Sequence, residues 1–359
     1  MKAKIYITDE GFGPVVRQSA IVEAMLALQP DFETIIQTNR HAEEVERSIK
    51  HKALVNKHNL ITWRKTDEGF PDVDGIKSDF SDYLTRSDEW MKGEDIADVD
   101  FVISDFVYEA FYVAQKYKKP AFGIAHFTWD WFFSKLYPLP LKQQVLNRFF
   151  EYAELSDVLY FPPFTPQEIL KYYNKKAKQV PFIIRKINAE NIVSSGTKIK
   201  ILFIDSGSGV LKTTIQKALM QIKDLKEYEI YISETFNVEA ENVIKIRKNE
   251  FFIDYIGKVD LVIGRAGFNT ISECIAYRTP MLLLSEAMNP EMNENIINVK
   301  HEGIGSFISL HQFTTNLPSF LSRFFNAEYK TIKENMQEHT YPLNGASVIA
   351  EDILNRMKK

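Results

Sequence analysis

The sequence predicts an α/β protein made of two successive halves, each with a parallel β-sheet flanked by helices. Short runs rich in β-branched and aromatic residues alternate with longer helical patterns through most of the chain, which is typical of sheets built from βα units. The chain has 359 residues, a length that fits about two domains. A glycine-containing turn follows the first predicted strand of each half, at residues 11–13 and 207–209.

The composition is that of a globular protein, with 45% hydrophobic and 26% charged residues. The formal net charge of −4 disfavours a nucleic-acid partner, since such proteins are usually basic. Cys274 is the single cysteine, so no internal disulfide is expected and a reducing compartment is favoured. The N-terminus lacks the apolar core of a signal peptide, and no run approaches the ~20 apolar residues that cross a bilayer. We expect a cytoplasmic protein.

The first domain is predicted to span residues 1–165. Its predicted strands cover residues 4–8, 33–37, 60–63, 100–104 and 120–125, and its predicted helices cover residues 15–28 and 107–117. Prolines at positions 162, 163 and 166 fix φ and remove backbone donors, so regular structure is interrupted there. We expect residues 166–190 to form an inter-domain linker.

The second domain is predicted to span residues 191–342, followed by a C-terminal helix within residues 343–359. Its predicted strands cover residues 199–204, 229–233, 260–264 and 280–284, and its predicted helices cover residues 268–277 and 346–357. Two α/β halves of similar plan favour a ligand site in a cleft between them.

The two glycine turns, Gly11-Phe12-Gly13 and Gly207-Ser208-Gly209, each join a predicted strand to a predicted helix. Backbone N–H groups at such a junction favour an anion. Neither turn completes a dinucleotide fingerprint, because Val16 and Lys212 stand where a third glycine is needed, and Leu211 breaks the phosphate-loop pattern. Two interpretations stay open for each turn: a tight connection, or a contact with a phosphate or sugar.

The segment from residue 260 to residue 273 is the most informative, because a buried strand runs through a glycine turn into a helix. Gly267 lets a ligand approach the backbone, and Asn269 and Thr270 put donors in the first helical turn. Glu273 lies one turn further on the same face, ~6 Å along the axis. This spacing suits a diphosphate at the helix end and a ribose diol on the carboxylate, but it also fits an ordinary helix with a solvated Glu.

Residues 264–273, 280–284 and 291–295 resemble the donor-binding region of GT-B glycosyltransferases, in particular the family that includes the peptidoglycan N-acetylglucosaminyltransferase making lipid II. The resemblance implies that Glu273 holds the ribose hydroxyls and that the helix end faces the diphosphate. It further implies that the flanking residues take part in binding the donor, with Glu291 and Asn295 near the donor sugar. The residues implied to bind the nucleotide sugar are Gly207, Ser208, Gly209, Arg265, Gly267, Asn269, Thr270, Glu273, Glu291 and Asn295.

Residues 11–17 and 122–131 resemble the glycosyltransferase-like domain found at the N-terminus of plant L-arabinokinases and in bacterial relatives. The resemblance implies that the turn Gly11-Phe12-Gly13 lies on the acceptor side. Those relatives carry His after the second glycine of this turn, near the acceptor or the reacting carbon, whereas this chain has Pro14. An obvious candidate base is therefore missing.

Three other residues are candidates for the base that takes a proton from an acceptor hydroxyl. Asp105, His126 and Asp130 follow predicted strands, where active-site groups of open α/β sheets collect. Asp105 is the preferred candidate. The alternative interpretation is that each of them is a loop residue that caps backbone groups.

The aromatic run over residues 127–150 admits three interpretations: a buried core between helices, a platform that stacks an acceptor sugar, or a patch that contacts a membrane surface. Flanking cations keep the membrane interpretation open. The expected partners are a nucleotide-sugar donor and a carbohydrate, lipid-linked or small-molecule acceptor, with peripheral membrane contact only under the third interpretation of residues 127–150.

The resemblance implies a GT-B glycosyltransferase, of hexosyl or N-acetylhexosaminyl type, which moves a sugar from a UDP-linked donor to a hydroxyl acceptor with inversion. Because helix-end N–H groups can stabilise the leaving diphosphate, we expect no metal ion and no cofactor beyond the nucleotide sugar. Two alternatives stay open. One is a nucleotide-sugar hydrolase or epimerase of the same fold, and the other is a non-catalytic protein that binds nucleotide sugars, which Pro14 motivates.

Overall fold

The computed structural model divides the chain into two compact units, each built around one parallel β-sheet. Unit 1 comprises Met1–Thr66, Pro71–Arg185 and Pro342–Lys359, and unit 2 comprises Asp67–Phe70 and Lys186–Tyr341. The structure describes residues 1–39, 41–49, 53–56, 62–67, 70–136, 143–186, 197–205, 211–247, 250–286 and 288–358.

Unit 1 contains a seven-stranded parallel sheet in the order β3-β2-β1-β4-β5-β6-β7. Its strands are β1 (Lys2–Ile7), β2 (Glu33–Gln37), β3 (Ala53–Asn56), β4 (Phe101–Asp105), β5 (Ala121–Ile124), β6 (Val158–Phe161) and β7 (Ala177–Gln179). Its helices are α1 (Gly13–Leu28), α2 (Ala42–Ser48), α3 (Val73–Gly93), α4 (Glu109–Lys116), α5 (Trp129–Lys135), α6 (Gln143–Ala153) and α7 (Gln167–Tyr172), together with α15 (Gly345–Met357).

The first sheet carries a hydrophobic cluster on each face, because alternate residues of a strand point to opposite sides. On β1, Ile5 and Ile7 belong to the cluster that includes side chains of α1 and α15. Tyr6, between them, belongs to the other cluster, which includes side chains of α3 and α4. Both faces of this strand are buried, as expected for a central strand of a parallel sheet.

Unit 2 contains a six-stranded parallel sheet in the order β10-β9-β8-β11-β12-β13. Its strands are β8 (Ile199–Ile204), β9 (Tyr228–Ser233), β10 (Val243–Ile246), β11 (Leu261–Arg265), β12 (Met281–Ser285) and β13 (Gly305–Ser309). Its helices are α8 (Lys212–Ile222), α9 (Ile253–Ile256), α10 (Phe268–Tyr277), α11 (Pro290–His301), α12 (Leu310–Thr315), α13 (Leu317–Ala327) and α14 (Tyr329–Glu338).

The boundary of the first unit differs from the predicted one. Most of the predicted linker, residues 166–190, belongs to unit 1, since α7 and β7 lie within it and β7 pairs with β6. The prolines before α7 interrupt the chain only locally. The predicted strand at residues 60–63 also differs: β3 lies earlier, at Ala53–Asn56, and residues 60 and 61 lie outside the described part of the chain.

The predicted C-terminal helix, α15, belongs to unit 1 and not to the unit that precedes it in the chain. A Cβ on Gly345 would lie 2.2 Å from the carbonyl oxygen of Pro181, so only glycine allows this close approach. Asp352 then accepts hydrogen bonds from Tyr160 Oη at 2.6 Å and from Arg356 Nε at 2.9 Å, and pairs with Lys178 at 2.8 Å. The helix is thereby fixed to the β6–β7 edge.

Candidate functional site

Each sheet has one point at which the strand order reverses along the chain. In unit 1 this point lies between β1 and β4, and in unit 2 it lies between β8 and β11. Ligands of open α/β sheets bind outside the carboxyl ends of the strands at such points. Gly11–Gly13 and Asp105 follow or end the first pair of strands, and Gly267 follows β11. The predicted turn Gly207-Ser208-Gly209, after β8, lies outside the described residues.

The junction between β11 and α10 leaves its backbone uncovered. Gly267 is the N-cap of α10, in an extended conformation with φ −69° and ψ 134°, and no side chain caps the helix there. Among the described residues, no atom lies within 4 Å of a Cβ built on Gly267. A helix N-terminus directs backbone N–H groups and the positive end of the helix dipole outward. This corner of unit 2 therefore suits an anionic group.

The structure brings the predicted residues of α10 together at this corner. Asn269 and Thr270 are half-buried in the first turn, and Glu273 is buried one turn further, 7% exposed. Cys274 is also buried, and burial, with the nearby charge of Glu273, raises the pKa of its thiol well above the ordinary value. The thiol therefore stays protonated and acts as a small core residue. That Glu273 holds ribose hydroxyls stays a prediction.

Arg265, the last residue of β11, is engaged by a carboxylate that follows the neighbouring strand. Its Nε and Nη2 donate to the two carboxylate oxygens of Glu286, the latter at 2.7 Å, and Glu286 is 1% exposed. Burial opposes the charged form of Arg265, but the hydrogen bonds and charge of Glu286, with the charge of Glu291, raise its pKa. Arg265 therefore fixes the end of β11, and most of its charge is neutralised within unit 2.

Helix α11 supports the same junction from the side. Asn295 is buried and its Nδ2 donates to the carbonyl of Ala266 at 2.7 Å, which holds the residue before Gly267 in place. Glu291 is half-buried in the first turn of α11. The predicted contacts of Glu291 and Asn295 with a donor sugar stay predictions, and the amide nitrogen of Asn295 already has a structural partner.

Two residues that support this corner were missed by the sequence analysis. Asn289 caps α11, since its Oδ1 accepts from Met292 N at 3.2 Å, and Glu286 pairs with Arg265. An Asn directly before a Pro is a recognisable helix-start signal and identifies the cap. Glu286 carries no such signal, because its partner lies 21 residues away in the sequence.

At the reversal point of unit 1, Asp105 is part of a buried ion pair. Arg17 Nη2 donates to Asp105 Oδ1 at 2.7 Å and Arg17 Nε donates to Oδ2 at 3.0 Å, and both side chains are 0% exposed. Gln18 Nε2 also donates to Oδ2, at 3.1 Å. An acceptor hydroxyl cannot reach this carboxylate unless the ion pair opens. Asp105, the preferred candidate base, is therefore an anchor for Arg17 in this structure.

His126 contacts the same arginine. Arg17 Nη1 lies 3.2 Å from His126 Nδ1, and the imidazole is 6% exposed. The rings of Phe106 and Phe127 meet it edge-on, with centroids 5.9 and 4.9 Å away. The structure thus brings together two of the three predicted bases, Asp105 and His126, with Arg17 between them.

Asp130, the third candidate, lies apart in the first turn of α5 and is half-buried. Tyr173 Oη donates to its Oδ1 at 3.0 Å. Burial raises the pKa of Asp130, and the hydrogen bonds that it accepts do not cancel that effect. A raised pKa makes this carboxylate a stronger base than an exposed one.

The turn at Gly11-Phe12-Gly13 is anchored to the residues after β2. Gly11 adopts φ +75°, a conformation that favours glycine. The ring of Phe12 contacts that of His41 at an interplanar angle of 53°, with centroids 4.5 Å apart, and His41 Nε2 lies 3.2 Å from the carbonyl oxygen of Asp9. Pro14 stands in the first turn of α1, where a proline favours the start of a helix.

The aromatic run is a core segment over residues 127–133, whereas Phe150 at its other end is half-buried. Phe127, Trp129, Trp131, Phe132 and Phe133 are each 7% exposed or less. Residues 137–142 lie outside the described part. Membrane contact through these five rings is therefore excluded by their burial. No helix among the described residues combines the length and the apolar character required to cross a membrane.

A small cavity lies among these rings at the edge of the first sheet. It is lined by Thr8, Trp63, Tyr83, Phe106, Val107, Tyr108, Glu109, Trp129 and Phe149. The centre of a water molecule can occupy about 20 Å³ of it, which is room for about one water. Burial raises the pKa of Glu109, whose carboxylate accepts a hydrogen bond from Tyr83. The cavity itself is too small for a sugar ring, and the interpretation of the aromatic run as a stacking platform stays a prediction.

Residues 219–353 match the family model described as "Glycosyltransferase family 28 C-terminal domain", a segment that includes the whole β11–α10 junction. No curated protein matches the sequence.

Solved structures with similar folds are glycosyltransferases by their titles. CalG4, the calicheamicin glycosyltransferase, has a TM-score of 0.66 at 11% identity and covers 99% of this chain and 98% of its own. MurG of Acinetobacter baumannii has a TM-score of 0.56 at 13% identity, covering 99% and 100%. The spinosyn rhamnosyltransferase SpnG, solved with thymidine diphosphate, has a TM-score of 0.62 at 11% identity, covering 98% and 100%; it was also solved with spinosyn aglycone. At this identity the likeness concerns the fold, and the chain has the GT-B fold that the sequence predicted.

Proposed function

We propose that the protein is a glycosyltransferase that moves a sugar from a UDP-linked donor to a hydroxyl group of an acceptor. The observation that carries the proposal is the β11–α10 junction, where an uncapped helix begins at Gly267 and Glu273 follows within two turns. The family 28 match spans this junction, and SpnG, which shares the fold, was solved with a nucleoside diphosphate. We infer that the diphosphate occupies the start of α10.

The chemistry is a single displacement with inversion. The acceptor oxygen forms a bond to the anomeric carbon, the bond from that carbon to the diphosphate breaks, and the nucleoside diphosphate leaves with the electron pair. The N-terminus of α10 stabilises the negative charge that develops on the leaving group. We assign no metal ion to this step, because the helix end supplies the electrostatic stabilisation.

A base must remove the proton of the acceptor hydroxyl, and we assign this role to Asp130. Asp105 is sealed by Arg17, whereas the Asp130 carboxylate is half-buried and has a raised pKa. His126 remains in the candidate site as a neighbour of Arg17. The acceptor class stays open among carbohydrate, lipid-linked and small-molecule hydroxyls, and the transferred sugar is proposed to be a hexose or an N-acetylhexosamine.

Calorimetric titration with UDP and with UDP-sugars tests the donor site. We expect Glu273→Gln to weaken binding ~10- to 100-fold, because a hydrogen bond to a charged group contributes about 1.5–3 kcal/mol. The matched control is Glu239→Gln, which removes the same charge from an exposed side chain of unit 2 that pairs with Lys245. Unchanged affinity in the folded Glu273→Gln variant would refute this donor site.

The same preparations separate the alternative functions. Stoichiometric release of UDP and free sugar without any acceptor indicates a hydrolase. Tight binding without product in any acceptor mixture indicates a non-catalytic nucleotide-sugar-binding protein, a possibility that Pro14 in place of the relatives' His keeps open.

A further inference from the structure

Arg17, Asp105 and His126 form a buried cluster that contains one ion pair and one imidazole. Arg17 is one of the largest side chains that are fully buried, and it lies at the strand-order reversal of unit 1. We propose that Arg17 is a positioning residue that fixes the His126 ring as a hydrogen-bond donor through Nε2. The tautomer follows from contacts within unit 1, whereas the role toward a substrate rests on the proposed function.

The argument begins with the hydrogen-bonding capacity of a guanidinium. Arginine carries only donors and stays protonated, so the 3.2 Å contact between Arg17 Nη1 and His126 Nδ1 requires a lone pair on Nδ1. A neutral imidazole with a lone pair on Nδ1 carries its proton on Nε2. His126 therefore presents an N–H group at Nε2, not a proton acceptor.

Asp105 holds the guanidinium in the orientation that this contact needs. Two parallel hydrogen bonds from Nε and Nη2 engage both carboxylate oxygens, which leaves Nη1 directed at the imidazole. Gln18 adds a third donor to the carboxylate, at 3.1 Å. Arg17 cannot rotate away from His126 without breaking this buried pair.

Aromatic packing fixes the ring itself. The Phe106 and Phe127 rings meet the imidazole at interplanar angles of 89° and 86°, and the Arg17 guanidinium lies 5.7 Å from the centre of the Phe106 ring. Phe106 adopts φ +65°, which a non-glycine residue rarely does, and Trp129 Nε1 donates to its carbonyl at 3.1 Å. Strained backbone of this kind persists where the surroundings hold it, often at functional sites.

The consequence for transfer is a division of roles. A fixed Nε2–H group can donate to an oxygen of the substrate, but it cannot take the proton of an acceptor hydroxyl. Pro14 stands where the domains that residues 11–17 resemble carry His, and His126 supplies an imidazole near the same reversal point without replacing that base.

Long-range proton–nitrogen NMR spectra of the full chain labelled with ¹⁵N-histidine test the tautomer directly. His126→Gln identifies the signal among the seven histidines. We expect Nε2 to be the protonated nitrogen and Nδ1 the unprotonated one in the wild type. A ring protonated at Nδ1, or averaged between the two tautomers, would overturn the proposal.

The variant Arg17→Met combined with Asp105→Asn tests whether Arg17 is the cause, and it leaves no unpaired buried charge. We expect the His126 signal to move toward a mixture of tautomers. A spectrum that still shows Nε2–H alone, in the folded double variant, would show that Arg17 does not position the ring.

A pair of substitutions tests the substrate role by rescue. We expect His126→Leu to lower kcat/KM by ~10-fold, the effect of losing one hydrogen bond to a substrate oxygen, and His126→Gln to recover most of that loss, because its amide retains an N–H. Equal loss in both folded variants would overturn the donor role. If the wild type transfers no sugar, the proposed function fails together with that role, while the tautomer result stands.

Discussion

At the carboxyl end of β4, side chains cover the edge of the sheet. At the carboxyl end of β11, the backbone at Gly267 is not covered by a side chain of its own. Asp105 ends β4 and its carboxylate is fully buried, and the ring of the next residue, Phe106, packs on Arg17. Gly267 lies just after β11, and no described residue comes within 4 Å of the position that a Cβ would take there. Two sheets of the same topology thus present opposite surfaces at equivalent points.

The difference indicates how the two units divide their tasks. In unit 1 the polar groups at the reversal point, Arg17, Gln18 and Asp105, pair with each other. In unit 2 Arg265 is paired with Glu286, which leaves the helix dipole at Gly267 as the electropositive feature of the described corner. A shared topology therefore places a site, and the residues after the strands decide its chemistry.

The largest expected effect comes from removing the buried ion pair between Arg17 and Asp105. Arg17→Met should destabilise the protein by about 3–5 kcal/mol, because it leaves the Asp105 charge buried without its cationic partner. The double variant with Asp105→Asn should recover most of that loss. Urea unfolding measures both, and a loss under 1 kcal/mol in the single variant would mean that water reaches Asp105.

Two glycines of unit 2 give a sharper contrast. A Cβ on Gly264 would lie 2.8 Å from the carbonyl oxygen of Ile204, so Gly264→Ala should cost about 1–3 kcal/mol of stability. Gly267→Ala should cost less than about 1 kcal/mol, the scale of a changed N-cap, but should weaken UDP binding ~10-fold by obstructing the backbone. Equal nucleotide affinity in Gly267→Ala and wild type would argue against a ligand at this junction.

The smallest effect concerns Asp352 of α15, at the β6–β7 edge of the first sheet. Burial alone would raise the pKa of Asp352, but hydrogen bonds from Lys178, Tyr160 and Arg356 outweigh it and lower the pKa from 3.8 to about 2. A lowered carboxyl pKa stabilises the fold above about pH 4, and this contribution is lost as the pH falls toward 2.

Asp352→Asn should therefore destabilise the protein by about 1 kcal/mol at neutral pH, a value reduced by solvent screening. The stability difference between wild type and variant should shrink between pH 6 and pH 3 in urea unfolding. A difference that stays constant over this range would show that the carboxylate is not preferentially stabilised.

Local patterns predicted the two halves because apolar runs and helix signals lie close together in the sequence. The strands at Glu33–Gln37 and Ile199–Ile204 and the helix at Phe268–Tyr277 have the predicted bounds. β7 was missed because its three residues, Ala-Lys-Gln, have no β-strand pattern and are placed by pairing with β6.

The candidate site was predictable only as far as its residues neighbour each other in the sequence. Gly267, Asn269 and Glu273 share one helix start and were found together. The partners of Arg17, by contrast, lie 88 and 109 residues away, and no local pattern records that a carboxylate and an imidazole meet one guanidinium. For this reason Asp105 was the preferred candidate base in the sequence analysis, whereas in the structure its carboxylate is buried and paired with Arg17.

The return of α15 to the first sheet makes the second unit an insertion within the first. Ile349, Ala350 and Ile353 complete the same hydrophobic cluster as Ile5 and Ile7 of β1. During synthesis the first unit thus lacks α15, and with it part of one hydrophobic cluster, until residues beyond 342 have emerged from the ribosome. By then every strand of the second unit has been synthesised. The first unit therefore begins to be synthesised before the second, but its chain is completed after that of the second.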